Sequence, residues 1–241
     1  MKKIFILLLA IPFVSCAPLQ QSSGSFPGST AGTQQSKVAE ALKQALTIGT
    51  QNSANKLSSV DGFFADAAVK ILMPPEAQNV EKTLRQFGLG SLVDKTILSL
   101  NRAAEDAAKS ATPIFVNAIK QMTISDALGI LQGGDFAATN YFKDKTTAAL
   151  TAAFSPVITN SLSKVDATKY WSDMFSAYNK FSTKKVPTDL NAYVTQKAID
   201  GIFYEVGLEE QKIRKDPAAR VTDLLKQVFG GNQAKNKMKG L

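Results

Sequence analysis

From Val38 onward, apolar residues recur at the three- and four-residue spacing of a helix, and no stretch alternates apolar and polar residues as a half-buried strand does. The spacing predicts a first helix from Val38 to about Lys56. It predicts further helices over residues 76–87, 92–111, 123–133, 135–153, 166–181, 188–215 and 217–229. We therefore predict an all-α fold, a single multi-helix domain that resembles a bundle.

Glycine and short polar residues mark the expected ends of several helices. Gly88 is expected as the C-cap of the helix that starts at residue 76. Thr123 and Asp126 have the spacing of a capping box, in which each side chain caps the backbone N–H of the other residue. Thr188 is expected to cap the long helix that ends near residue 215, and Asp216, which precedes a proline, is expected to open the last helix.

Prolines interrupt the helical pattern at three places. The short run Val69–Met73 contains β-branched residues and stops at Pro74, which predicts an extended segment that crosses the domain. Pro113 is expected to lie just beyond the end of the helix that starts at residue 92. Pro156 is expected to mark a break or a new start, because proline lacks the N–H that a helix interior needs.

The first residues of the chain have the pattern of a bacterial lipoprotein signal. A positive start, Lys2-Lys3, precedes an apolar run over residues 4–14 that is too short to span a bilayer as a mature helix. Phe13-Val14-Ser15-Cys16 resembles a lipobox, although Phe13 stands where leucine is usual. Cys16 is the only cysteine, and we expect it to be lipidated after removal of residues 1–15. The alternative is an ordinary secretory signal with a leftover thiol.

The residues after Cys16 predict where the domain is located. Residues 16–36 are rich in Ser, Gln, Gly, Thr and Pro, which predicts a lipidated N-terminus followed by a flexible linker. Ala17, rather than an aspartate, follows the cysteine, which favours the outer membrane and an orientation facing the periplasm. The helical domain is expected over residues 37–230, and a basic, disordered tail over residues 231–241.

Composition narrows the possible chemistry. The chain has no histidine, which excludes Ser-His-Asp and Cys-His catalysis and imidazole zinc sites. We expect no cofactor and no metal. The formal net charge of +8 suits either contact with anionic lipid or peptidoglycan-associated polymers, or simply a solubilising face. Nucleic acid is not an expected partner, because no recognised aromatic-basic motif is present.

Two predicted helices carry polar residues on their apolar faces. On the helix over residues 92–111, a rotation of about 100° per residue places Asn101 inside the apolar stripe and Glu105 at its edge. Arg102 lies one step around this helix, at a spacing that allows it to pair with Glu105 or Asp106. On the helix over residues 188–215, Glu209 and Glu210 fall on the apolar face, and Arg214 is spaced to pair with Glu210.

A buried carboxylate is costly unless it is paired or coordinated, so these polar residues are expected to converge. The candidate members are Asn101, Arg102, Glu105, Glu209, Glu210, Arg214 and Arg220. One interpretation is a ligand or cation site, or an acid–base pair of carboxylates. The alternative is a buried salt-bridge network that locks helix ends together. Free carboxylates in an open pocket favour the first, and carboxylates occupied by arginines and backbone N–H groups favour the second.

A series of motifs resembles one protein family. The motifs include Leu100-Asn101-Arg102-Ala103-Ala104-Glu105, Tyr141-Phe142, Asp200-Gly201-Ile202-Phe203, Glu209-Glu210-x-x-Ile213-Arg214-x-x-Pro217-x-x-Arg220 and Phe229-Gly230. From about Val38 to Gly230 the chain is similar to the domain of unknown function 4197 family. The resemblance implies a bacterial envelope protein, often with a secretion or lipoprotein signal, and it assigns no activity.

These observations favour a non-enzymatic function. The expected protein is a periplasm-facing, lipid-anchored module that binds the membrane through Cys16 and holds a small apolar or anionic ligand, or an envelope protein partner. The alternative is a carboxylate-dependent hydrolase or metal-assisted enzyme that uses Glu209 and Glu210. An exposed apolar groove favours binding, whereas two unpaired carboxylates in an open pocket favour the enzyme.

Overall fold

A computed structural model describes the backbone of residues 27–164 and 189–216, with side chains from residue 34 onward. It also describes seven separate residues: Thr168, Trp171, Phe175, Asn179, Lys180, Thr183 and Lys226. Several predictions concern residues outside this described part of the chain: the signal with Cys16, most of the 166–181 helix, the cap Thr188, the 217–229 helix with Arg220, and the basic tail.

The fold is all-α, as predicted, and forms a single domain. Over residues 27–164 and 189–216 its helices are α1 (Pro27–Ser58), α2 (Gln78–Gln86), α3 (Gly90–Ala108), α4 (Ala111–Gln121), α5 (Ile124–Gln132), α6 (Ala137–Ser163) and α7 (Leu190–Lys215). A single 3₁₀ turn, Pro75–Ala77, precedes α2. No strand occurs in the described ranges. The prediction of a multi-helix domain is confirmed.

Helix α7 lies at the centre of the packing, where it contacts α6, α1 and α3. A cluster of rings joins α4, α6 and α7 through Phe115, whose centroid lies 5.3 Å from that of Phe142 and 6.2 Å from that of Phe203. Both pairs meet edge to face, the arrangement that aromatic quadrupoles prefer. Phe115 and Phe142 are fully buried. These aromatic residues therefore form part of the core that packs α4 and α6 against α7.

Two helices are longer than the sequence pattern predicted. Helix α1 begins at Pro27, so residues 27–36 of the predicted flexible linker are helical. Proline is well suited to the first helical position, and each residue added to an existing helix gains one backbone hydrogen bond. Helix α6 continues through Pro156 to Ser163 rather than breaking. Phe154 and Ile158 flank the proline in the sequence and are fully buried, and this burial offsets the proline's cost of about 3 kcal/mol.

Local capping signals were predicted more accurately. Gly88 has φ +79°, and the N–H of Leu89 donates to the carbonyl of Leu84, which completes a Schellman motif. Thr123 and Asp126 form the predicted capping box. The N-cap of α7 is Asp189, whose carboxylate accepts from the Ala192 N–H at 2.9 Å, rather than the neighbouring Thr188.

The segment around proline 113 also differs in detail from the prediction. Helix α3 ends at Ala108, and α4 starts at Ala111. Pro113 therefore lies in the first turn of α4, where no helical carbonyl needs its missing N–H. Asp216 occupies the C-cap position of α7 with an extended backbone. Its predicted role at the start of the next helix lies outside the described residues.

A close contact between α7 and the turn after α1 requires glycine at position 201. A Cβ atom there would lie 2.5 Å from Cε1 of Phe63, which is fully buried. We expect Gly201→Ala to lower the free energy of unfolding by about 1–3 kcal/mol, because the ring must move within a packed core. Gly129→Ala is the control, since a Cβ at that helical site meets no atom within 4 Å. Urea unfolding should show no loss of stability for Gly129→Ala, and equal behaviour of the two variants would contradict this packing.

Candidate functional site

Asn101 fixes the extended segment between α1 and α2 against α3. Its Oδ1 accepts from the Ile71 N–H at 2.8 Å, and its Nδ2 donates to the Ile71 carbonyl at 2.8 Å. The second Nδ2 hydrogen goes to the Ile97 carbonyl at 2.7 Å. The side chain is fully buried, and both of its donors are used. Asn101 is therefore an anchor for the segment and has no donor left for a ligand.

Glu105 and Arg102 close the turn that follows α1. The Oε1 atom of Glu105 accepts from the backbone N–H groups of Phe63 and Phe64, each at 3.2 Å. Its Oε2 atom accepts from Arg102 at 2.6 Å, and Arg102 also donates to Asp61 at 2.7 Å. Asp61 has φ +66°, a backbone conformation that residues other than glycine rarely adopt. The carboxylate and the guanidinium together stabilise this turn.

Glu210 caps a helix that is distant in the sequence. Its Oε1 accepts from the Ala138 N–H at 3.0 Å, and its Oε2 accepts from the Thr139 N–H at 2.9 Å and the Thr139 hydroxyl at 2.8 Å. These N–H groups belong to the first turn of α6, whose N-cap residue, Phe136, supplies no side-chain cap. A carboxylate at this position satisfies N–H groups that lack a helical partner and lies at the positive end of the helix dipole.

Arg214 extends this cap to a second helix end. Its Nε donates to Oε1 of Glu210 at 2.9 Å, and a terminal nitrogen donates to the carbonyl of Ile130 at 2.8 Å. Ile130 lies in the last turn of α5, where carbonyls have no partner within the helix. The ion pair therefore joins the end of α5 to the start of α6. This geometry matches the second interpretation of these residues, a buried salt-bridge network that locks helix ends together, rather than a ligand or cation site.

Glu209 and Glu210 point toward different helices. Glu209 accepts from Asn52 of α1 at 3.0 Å and pairs with Lys212, whereas Glu210 faces α6. The two carboxylates therefore do not form an acid–base pair. Asn101 and Glu105 bond to the segment between α1 and α2 and therefore do not lie with Glu209 and Glu210 in one site. Within the described residues, no group of three or more His, Cys, Asp or Glu side chains could hold a metal ion.

A third buried carboxylate, Glu205, was not among the predicted site residues. It is 3% exposed and bonds to Lys56 of α1 at 2.7 Å. Lys56 also bonds to Asp66 at 2.8 Å. Hydrogen bonds from Lys56 and from the Ala68 N–H lower the pKa of Asp66, and the bonds to both carboxylates raise the pKa of Lys56. This group connects α7, α1 and the extended segment.

The sequence contained a signal for Glu205. It lies seven residues after Ala198 and three after Ile202, so it belongs to the apolar stripe of α7. No sequence pattern pointed to Lys56 as its partner, because the two residues are 149 positions apart. Each buried carboxylate of α3 and α7 thus contacts another element of the fold, and the sequence pattern of its own helix does not predict which one.

A cleft of about 420 Å³ separates the extended segment from α7. Its α7 side includes Tyr193, Asp200 and Tyr204, and its other side includes Leu72. The Tyr193 hydroxyl donates to the Leu72 carbonyl at 2.9 Å. Burial raises the pKa of Tyr193 to about 12, so the hydroxyl stays protonated and remains a donor at neutral pH.

A second cleft, of about 600 Å³, lies between α6 and α7 and is mainly apolar. Phe136 and Tyr204 at its rim are 50% and 45% exposed, and Leu208 is 38% exposed. Lys143 also lines it, with its Nζ 5.9 Å from the ring centroid of Phe203. The cleft therefore offers an apolar wall with one cation beside it.

A third cleft, of about 680 Å³, lies between the extended segment and α2. Leu72 and Met73 line both the first and the third cleft. Asp200 and Tyr204 line both the first and the second cleft. The three clefts are therefore neighbours on one surface. We call this surface the cleft face and define it by Leu72, Phe136, Tyr193, Asp200, Tyr204 and Leu208.

Hydropathy adds one observation about membranes. Among the described residues, no individual helix is both long and apolar enough to cross a bilayer. Helices α4 and α5 taken together reach the necessary length and composition, but the pair is bent by 105° at its break.

Comparison with known proteins gives the family of this chain. No curated protein and no solved structure matched the sequence. A family model described as protein of unknown function (DUF4197) matches residues 32–230, which is most of the chain. The match includes every described helix except the start of α1, and it includes the cleft face and the buried carboxylates. The chain therefore belongs to the DUF4197 family.

Proposed function

We propose that this protein is a lipid-anchored binding module of the bacterial cell envelope without catalytic activity, and that the cleft face is its binding surface. The observation that carries the proposal is the exposure of large apolar side chains on adjoining clefts. Leu72, Phe136 and Tyr204 are each about half exposed, at 52%, 50% and 45%. Concave, apolar surfaces with a few polar groups are typical of binding sites.

The buried carboxylates support binding over catalysis. Both oxygens of Glu210 accept hydrogen bonds from α6, and both oxygens of Glu105 accept from Arg102 or the turn after α1. A general acid or base must reach the substrate, and neither carboxylate is free to do so. The alternative of a hydrolase or metal-assisted enzyme built on Glu209 and Glu210 gains no support from this arrangement.

The proposed location rests on Cys16 and the signal that precedes it. Several acyl chains at Cys16 would hold the chain on a membrane stably, since each buried methylene contributes about 0.8 kcal/mol. We expect Cys16→Ser to move the protein from the membrane fraction to the soluble fraction of a detergent-free lysate. Ala17→Ser is the control and should stay with the membranes. If as much Cys16→Ser as wild-type protein remained in the membrane fraction, the proposed anchor would be overturned.

Photo-crosslinking in the native host tests the binding face. With p-benzoylphenylalanine at position 204, we expect a discrete covalent adduct after irradiation. The same probe at position 121, an exposed site on α4 that lines none of the three clefts, should give none. Leu208→Asp in the chain that carries the probe at position 204 should abolish the adduct. Identical products from positions 204 and 121, or no product from position 204, would contradict the proposal.

A second candidate is a small apolar ligand with an anionic group, held between α6 and α7. The observation that favours it is Lys143, which lies beside the apolar wall formed by Phe136 and Phe203. Native mass spectrometry of the chain purified from its own host distinguishes the candidates. A constant added mass of small-molecule size that is lost in Lys143→Glu supports the small ligand, and an unliganded mass together with the crosslink supports a macromolecular partner.

A further inference from the structure

The segment over residues 70–73 lies between a turn that ends at Val69 and the 3₁₀ turn at Pro75, and its bonds to α3 resemble those along one edge of a β-strand. One side-chain amide, that of Asn101, bonds both the N–H and the carbonyl of Ile71. Both groups of one residue point to the same side only when the backbone is extended. Burial alternates as well: Val69, Ile71 and Met73 are buried, whereas Leu72 is 52% exposed. One edge of this segment is paired by α3 through Asn101.

The opposite edge of the segment faces the cleft in front of α7. The N–H and carbonyl groups of neighbouring residues in a strand point to opposite sides, so those of Leu72 point away from Asn101. The contact between the Leu72 carbonyl and Tyr193 of α7 agrees with this direction. No group in the described part of the chain accepts a hydrogen bond from the Leu72 N–H or donates one to the Lys70 carbonyl. Among the described residues, this edge therefore has one side-chain partner, Tyr193, and its Leu72 N–H and Lys70 carbonyl lie unpaired beside the cleft.

We propose that this edge pairs with an extended segment of another polypeptide, which enters the cleft as a second strand between residues 70–73 and α7. The inference deepens the proposed function and rests on it, because it identifies the class of partner that the cleft face binds. One residue of the incoming segment would accept from the Leu72 N–H and donate to the Leu72 carbonyl, which has a second lone pair free beside the Tyr193 bond. Exposed strand edges are ready templates for such pairing.

The surroundings of the edge explain why a peptide suits it. Four residues of extended chain span about 13 Å, so the incoming segment would run along all of residues 70–73. Successive side chains of the segment would point to opposite faces of the paired backbones, and those on one face would lie next to the Tyr193, Asp200 and Tyr204 side chains that line the cleft. The other side chains would meet the exposed Leu72. Backbone pairing gives affinity, and these alternate contacts give specificity.

A displayed library of random twelve-residue peptides, selected on the full chain in detergent, supplies the probe. Binding of an enriched peptide is then measured by calorimetry for wild type, Leu72→Pro and Leu72→Ala. We expect Leu72→Pro, which lacks the N–H, to weaken binding roughly tenfold or more, as loss of strand pairing implies. Leu72→Ala keeps the N–H and should weaken binding less. Methylation of successive peptide nitrogens, tested on wild type alone, should weaken binding at every second position.

Each result of the binding and methylation experiments either supports or overturns strand addition. Weakening by Leu72→Pro with a period of two in the methylated peptides supports strand addition, and the methylation series decides alone if Leu72→Pro does not fold. A library without an enriched peptide, or methylation effects without that period, overturns it. Enriched peptides that bind Leu72→Pro as tightly as wild type but lose affinity for Tyr204→Ala overturn strand addition while leaving the binding face in place. Absence of a crosslinked product from position 204 would instead contradict the proposed function itself.

Discussion

Glu210→Ala is expected to lower the free energy of unfolding by about 3–5 kcal/mol, the usual cost of removing one partner of a buried ion pair. The side chain is 5% exposed and accepts from the first turn of α6 as well as from Arg214. Its loss leaves the Ala138 and Thr139 N–H groups without their acceptor in a buried site. The start of α6 and the end of α5 would then lose their common attachment.

The neighbouring acid provides a matched control for this variant. Glu209 has a more exposed partner, Lys212, whose side chain is 61% exposed. Glu209→Ala should therefore cost about 1 kcal/mol or less. Urea denaturation followed by circular dichroism measures both free energies. Equal losses for the two variants, or full stability of Glu210→Ala, would show that the carboxylate does not lock the helix ends.

Asn101→Ala is expected to cost about 3 kcal/mol or more of unfolding free energy. The substitution leaves the N–H and the carbonyl of Ile71 unpaired in a buried environment, and each such group costs about 1–3 kcal/mol. The variant also removes the anchor that holds the extended segment of residues 70–73 against α3. Because that segment forms one side of the cleft face, binding there should weaken along with stability.

Asn117→Ala on α4 is the control, because Asn117 is exposed and, within the described residues, its side chain has a single hydrogen bond, from Gln121 at 3.4 Å. It should leave unfolding within about 0.5 kcal/mol of wild type. Amide hydrogen exchange adds a local readout, since the Ile71 amide should exchange faster in Asn101→Ala. An unchanged exchange rate at Ile71 would mean that the amide bridge does not hold the segment.

Helical periodicity predicted that certain polar residues are buried, and it predicted the ion pairs Arg102–Glu105 and Arg214–Glu210 within single helices. It did not predict the contacts of these residues with other elements. Asn101, Glu105 and Glu210 fall on apolar stripes, and each is buried as the 100° rotation implies. The partners of these residues on other elements lie 30 to 72 residues away and are mostly backbone groups, which carry no mark in the sequence. The expected convergence into one corner was therefore wrong for the described residues, which form separate attachments along α3 and α7.

Helix ends show the same division between local and distant causes. The capping box at Thr123 and the glycine cap at Gly88 depend on neighbours in the chain, and both were predicted. The continuation of α6 through Pro156 depends on burial of residues on both sides of the proline, which only packing decides. The cleft face was not predicted either, because its residues come from separate parts of the chain.

Hydrogen exchange of the full chain in its native envelope, compared with the purified chain in detergent, tests the central claim most directly. The claim is that the cleft face binds a partner while the carboxylates behind it hold the fold together. The account predicts slower exchange in the envelope for peptides that cover residues 68–73 and 193–208, and unchanged exchange in α4. Equal exchange in both preparations at residues 68–73 and 193–208, or slowing confined to α4, would contradict it.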